Sequence, residues 1–310
     1  MTSKRFSIIL IAVLIIGTTY QYFWYAILNL YYDPFGLWHS HEEKKIYQNE
    51  RTTKYLMSLR YVPENFDGIL TGPSVSANLD TRRLKTHKIY NLSINGGNVT
   101  EINHTSKNYI QKTRNKIIII CLYPYMTKDS GFKDNQFTYK NLLDAAIFSP
   151  FAIAVTRKIY NHIPPRMGFE QSEWGWNNFD LKKMKRGIKF YDYYKIIIKT
   201  KKIIIKINAE AYDELGNLIT LCRQKNFTIL AYFYPINHWE YQSFVRTGSW
   251  DTYKKKMFAL FSPNDIVWDM NTEQYEYITK NFDAYTDGHL SQLGANFVLE
   301  DIDRKLQSLQ

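Results

Sequence analysis

Phe66-Asp67-Gly68-Ile69-Leu70-Thr71-Gly72-Pro73-Ser74-Val75-Ser76 is the stretch on which the reading of this chain turns. Ile69 and Leu70 make a short buried strand, and Gly72-Pro73 bends the chain so that Ser74 is presented at the strand's end. In a parallel sheet, the carboxyl end of a strand is where open α/β folds bind ligands. Taken alone, Gly-Pro-Ser is an ordinary turn. Ser74 gains meaning from a cluster far along the chain, Asp287-Gly288-His289-Leu290-Ser291, if the residues between fold the two together.

Those residues alternate strand and helix. Residues 87–92 (His-Lys-Ile-Tyr-Asn-Leu) read as a second strand running into Ser93-Ile94-Asn95-Gly96-Gly97. Residues 99–114 read as a helix capped by Asn98 or Thr100. Residues 116–122 (Lys-Ile-Ile-Ile-Ile-Cys-Leu) are apolar without alternation, as in a strand covered on both faces. After an interruption the rhythm resumes: helix 209–225, strand 227–234, helix 252–261, strand 265–270 and a closing amphipathic helix at 290–309. This alternation predicts an α/β fold, a three-layer sandwich around a mainly parallel five-stranded, flavodoxin-like sheet.

Two stretches fall outside that rhythm. Residues 6–28 are almost unbroken apolar sequence, preceded by Lys4 and Arg5 and crowded at the far end by Tyr20, Tyr22, Trp24, Tyr25, Tyr31 and Tyr32. They predict a transmembrane helix, with residues 1–32 a single-pass anchor in the cytoplasmic membrane, N-terminus inside. Residues 33–310 would then form an extracytoplasmic, periplasmic domain. A cleaved signal peptide is the competing reading, without an Ala-x-Ala site to support it. The second stretch, about 127–206, carries Pro150, Pro164, Pro165 and a run of lysines, and reads as an insertion. Its Trp174-Gly175-Trp176 could form a sugar-binding platform, although packing against a core is the commoner fate of tryptophan. Residues 42–61 read as a charged helix lying over the domain, its charges in solvent.

With 310 residues, 45% apolar and 22% charged, the chain can bury a sizeable core. A formal net charge of +11 favours anionic partners: lipid headgroups, acidic glycans or nucleic acid. Without zinc-finger spacing or RNP-type aromatic strands, nucleic acid ranks last. Cys121 and Cys222 make no disulfide framework, and the sequence leaves their pairing open. His39 and His41 lack a third ligand, so no metal and no cofactor are expected.

Ser74, His289 and Asp287 supply the parts of nucleophilic acyl transfer: a hydroxyl, an imidazole to take its proton, and a carboxylate to orient that imidazole. Gly96, with the amide of Ser74 or Val75, could supply oxyanion donors.

In this order the three blocks resemble the SGNH/GDSL hydrolase-like superfamily: Gly72-Pro73-Ser74, then Asn91-Leu92-Ser93-Ile94-Asn95-Gly96, then Asp287-Gly288-His289. Two features depart from its pattern. The asparagine donor usual after the third strand is replaced by Leu122-Tyr123-Pro124-Tyr125, and the spacing is Asp-x-His rather than Asp-x-x-His. The shorter spacing looks more like the alginate O-acetylation proteins, and an anchored outward domain looks like the D-alanyl transfer protein of teichoic-acid loading. The resemblance implies a serine acyltransferase or esterase working through an acyl-Ser74 intermediate. Its partners would be an acyl donor, a cell-envelope glycan or acyl carrier, membrane lipid, and a multi-span membrane acyltransferase. The other class of reading is a non-catalytic scaffold of the same fold, binding an envelope polysaccharide or that acyltransferase, which the missing asparagine favours.

Overall fold

The computed structural model describes residues 3–41, 44–46, 50–128, 172–177, 203–286 and 288–309. Most of the 127–206 insertion and the carboxylate Asp287 therefore lie outside the described residues.

The elements in chain order are α1 (Ser3–Tyr32), β1 (Lys45–Ile46), α2 (Glu50–Ser58), α3 (Tyr61–Asn65), β2 (Gly68–Thr71), α4 (Ser74–Ala77), β3 (Ile89–Asn91), α5 (Val99–Lys112) and β4 (Ile117–Leu122). Then come β5 (Ser172–Glu173), α6 (Ala209–Gln224), β6 (Thr228–Phe233), α7 (His238–Val245), α8 (Ser249–Phe258), β7 (Ile266–Asp269), α9 (Glu276–Thr279) and α10 (Gln292–Gln307). Five strands form one all-parallel sheet in the order β3-β2-β4-β6-β7, as the alternation predicts, and β1 pairs antiparallel with β5 in a small ribbon.

The sheet forms because its strands are dense in residues that suit a pleat covered on both sides. Ile118, Ile119, Ile120, Cys121 and Leu122 of β4 are fully buried, as are Leu230 to Phe233 of β6. Cutting Ile119 to alanine would remove about 2–5 kcal/mol, the range for large-to-small changes in a packed interior. α5 begins with a capping box, in which the Asn98 side chain accepts from Glu101 N and Glu101 reaches back to the Asn98 amide. α2, α5 and α6 pack side by side, while α10 is tied to the β2–β3 connection by the Asp303 carboxylate, which accepts from Lys85 N, Thr86 N and Thr86 Oγ1. The chain leaves β2 for β3 on one side and returns past it to β4, so the carboxyl ends of β2 and β4 flank the point where strand order reverses.

The transmembrane expectation is corrected. α1 is 30 residues long, yet among the described residues no helix is long and apolar enough to cross a membrane. Its continuous apolar run, Ile8 to Ile16, is followed by Gly17-Thr18-Thr19-Tyr20-Gln21. At ~1.5 Å per residue that run covers roughly half of a ~30 Å hydrocarbon core. The anchor role for residues 1–32, the single-pass localisation and the periplasmic placement built on it fall together.

The sequence left the cysteines open; Cys121 and Cys222 are both free and buried. Burial pushes each thiol up to about 12. Three of the four Asn-x-Ser/Thr asparagines are also interior: Asn91, Asn98 and Asn103 are buried and hydrogen-bonded, whereas Asn226 sits in the left-handed turn after α6.

Candidate active site

β2 ends at Thr71, and the next residues have almost no room. A Cβ on Gly72 would stand 2.5 Å from Ser76 Oγ and 2.7 Å from Cys121 Cβ, so only glycine lets the turn press against β4. Pro73 fixes the entry, and Ser74 opens the short helix α4. Ser74 is partly buried, at the carboxyl edge of the sheet.

The turn is held from below by Asn91, the last residue of β3. Its Nδ2 reaches the carbonyls of Ser76 at 2.8 Å and Leu79 at 2.9 Å, and approaches that of Ala77 at 3.4 Å. Its Oδ1 accepts from Ser93 N at 3.0 Å. Ser76 Oγ donates to Ser93 Oγ at 2.8 Å, and Ile94 N donates to Gly72 O at 3.0 Å. The loops after β2 and β3 are thus a single hydrogen-bonded piece.

His289 arrives from the other end of the chain. Its loop closes on itself through Thr286 N to His289 O at 2.9 Å and a bridge between Tyr285 and Leu290, with Gly288 in left-handed backbone. Tyr285 Oη donates to Pro235 O, Tyr234 Oη to Gly288 O, and Asn78 Nδ2 to Leu290 O. Asn78 also ends the helix that Ser74 begins, so one side chain joins the two loops.

The result is a distance of 3.1 Å between His289 Nε2 and Ser74 Oγ. With the ring proton on Nδ1, the serine hydroxyl donates to Nε2, which is the arrangement a general base needs to take that proton. Asp287 lies outside the described residues. Val75 follows Ser74 and is buried, and its amide lies in the first turn of a helix, where N–H groups have no intrahelical acceptor. Gly96 lies in an exposed turn after β3 at φ +64°, with Arg51 Nη2 the nearest atom to a Cβ placed there, at 3.4 Å.

Trp174 and Trp176 flank Gly175 at the β3 edge. Gly175 presses against Asn91 O so closely that a Cβ would stand 2.0 Å from it, and Asn91 N donates to Trp174 O at 2.9 Å. The Trp174 ring meets Phe66 edge-on at 5.4 Å and lies under Lys88. Trp176 lies under Arg82 and donates its Nε1–H to Asn78 O at 3.0 Å. Both rings are partly buried.

Three contributors were not legible in the sequence. Asn78 carried no motif. Lys54 and Glu50 stood in a helix whose charges were expected in solvent, yet Lys54 is fully buried and Glu50 nearly so. After β4, where an asparagine donor was missing, Pro124–Thr127 forms a single 3-10 turn; the Tyr123 ring meets Tyr234 edge-on at 5.4 Å and its hydroxyl reaches Glu240 at 3.4 Å.

No family model and no curated protein matches the chain. Among solved structures, it is similar to a protein described as a candidate platelet activating factor from Streptococcus pneumonia. That similarity has a TM-score of 0.46 at 13% sequence identity, spanning 84% of this chain and 92% of that one.

Proposed function

We propose that the protein is a serine ester hydrolase or acyltransferase in which Ser74 is the nucleophile and His289 the general base. The observation that carries this reading is the 3.1 Å contact between Ser74 Oγ and His289 Nε2, made across the chain at the carboxyl edge of a parallel sheet. His289 takes the hydroxyl proton as Ser74 Oγ attacks an ester carbonyl, and returns it to the leaving alkoxide as the bond to it breaks. The acyl-Ser74 ester is then released to water or to an acceptor hydroxyl by the same steps in reverse order. Asp287, two residues before His289, is assigned the orienting role on the imidazole, and the amides of Gly96 and Val75 the developing oxyanion. Trp176, joined to Asn78 beside both loops, is the better placed of the two tryptophans to touch substrate.

The test is labelling with a serine-directed fluorophosphonate, together with hydrolysis of p-nitrophenyl acetate. The native protein should label on one residue, Ser74, and Ser74→Ala should abolish labelling while keeping its melting transition. A folded native protein that neither labels nor hydrolyses the ester would overturn the catalytic reading. It would favour the non-catalytic scaffold, whose specific support is the Tyr123-Pro124 sequence where a side-chain amide donor is expected.

A further inference from the structure

Lys54 is the only lysine among the fully buried large side chains of the described residues, and its setting is unusual. Its Nζ contacts Glu50 Oε1 at 2.8 Å and also donates to the carbonyl of Ser93. The other oxygen of Glu50, Oε2, accepts from Asn95 N at 3.2 Å and from Asn177 Nδ2 at 3.3 Å. Arg51, on the same turn of α2, donates to Asn95 O at 3.2 Å and pairs with Glu101 Oε1 at 3.2 Å. Three backbone atoms of the loop after β3 (Ser93 O, Asn95 N and Asn95 O) are therefore held by one turn of one helix. The opposite side of the loop is held by the Ser74 turn, through Ile94 N to Gly72 O and the Ser76–Ser93 hydroxyl pair.

A buried ion pair is a poor way to gain stability. Taking both charges from water costs several kcal/mol each, and apolar side chains of equal volume often do as well or better. Burial presses the Lys54 ammonium toward its neutral form against the pull of Glu50, which shows the strain of keeping a charge there. What apolar residues could not do is hold backbone atoms. The atoms held are those immediately before Gly96, the left-handed glycine of an exposed turn closed by Gly97 N on Ile94 O at 2.9 Å.

We propose that the Lys54–Glu50 pair is a positioning device that locks residues 93–97 against the Ser74 turn, so that the Gly96 amide is presented to the reacting carbonyl in one fixed orientation. The clamp itself stands on the hydrogen bonds above; its catalytic consequence rests on the serine-hydrolase reading. Lys54 and Glu50 touch no substrate and act through the loop.

The experiment compares the native protein with Lys54→Met and with the paired Glu50→Gln/Lys54→Met. The pair removes both charges, so no carboxylate is left buried and unpaired if the single variant fails to fold. Two readouts are taken on folded protein: amide hydrogen exchange of the peptide covering residues 92–98, and kcat and KM on p-nitrophenyl acetate. The proposal expects exchange in that peptide to rise at least about tenfold while the β4 and β6 peptides stay protected. It also expects kcat to fall roughly 10- to 100-fold at unchanged KM, the scale of misplacing rather than deleting one oxyanion donor. Lys54→Arg, which keeps the charge and the donor, should recover part of both. Unchanged exchange in the loop would overturn the clamp whatever the activity. Faster exchange with unchanged kcat would overturn the catalytic role and leave the clamp. Absence of turnover in the native protein would fall on the hydrolase reading, with exchange still deciding the clamp.

Discussion

The carboxyl edge of the sheet has two unlike halves. At the ends of β2 and β3 the loops are small and polar, and their backbone atoms are matched by buried side chains: Asn91, Ser76, Ser93, Lys54 and Glu50. At the ends of β4 and β6 the chain continues as Tyr123-Pro124 and Tyr234-Pro235, where the two tyrosine rings meet edge-on and the buried Asn271 side chain binds Ile236 N and Tyr234 O. In the first half polar side chains carry the joining contacts; in the second, aromatic packing works beside them. Ser74 stands in the first half, and His289 reaches it on a loop braced against Tyr234 and Pro235 of the second. Ser74 and His289 thus come from differently built halves, and their contact forms only where the two meet.

The largest expected effect cuts that meeting point. His289→Ala should lower p-nitrophenyl acetate turnover roughly 10³-fold or more, and Ser74→Ala/His289→Ala should be no worse than the poorer single variant, because the residues act as a unit. A double variant far below both singles would show that they act independently.

Next comes the polar half itself. Asn91→Ala frees carbonyls of Ser76 and Leu79 inside the protein, and should remove about 3 kcal/mol or more of stability in urea unfolding. A loss below about 1 kcal/mol would mean that the polar lattice is not what holds the turn. Gly72→Ala, which drives a methyl into Ser76 Oγ and Cys121 Cβ, should cost about 1–3 kcal/mol, read from the same unfolding curves. It should slow turnover as well, since it displaces the turn that presents Ser74.

The smallest effect sharpens the contrast from the aromatic side. Tyr123→Phe keeps the ring against Tyr234 and removes a hydroxyl contact of 3.4 Å to Glu240, so stability should change by less than about 0.5 kcal/mol and kcat by less than about twofold. A large fall in kcat would instead give the Tyr123 hydroxyl a part in the reaction.

What could be read ahead of the structure follows the same division. The run from Ile117 to Leu122 announces a covered strand because β-branched residues without alternation suit little else. Gly72-Pro73 announces a turn because its geometry is local. The meeting of Ser74 with His289 was legible only through the alternation of strand and helix and the order of the sequence blocks, since no local property of either residue implies the other. Lys54 was illegible for a different reason: a lysine four residues from a glutamate is the ordinary mark of a solvated helix face, and only the loop packed over it reverses the reading. The apolar stretch near the N-terminus misled because its overall richness in isoleucine and leucine hides the short length of its unbroken part.

The two buried thiols have a practical consequence. Cys121 and Cys222 are the only cysteines in the chain, and with thiols pushed up to about 12 almost none of either is thiolate near neutral pH. The folded protein is therefore close to silent toward maleimide reagents. A single cysteine introduced at exposed Asn95 would accept a fluorophore or spin label without first stripping the native ones, giving a direct view of how the neighbouring glycine turn moves when an acyl group enters the site.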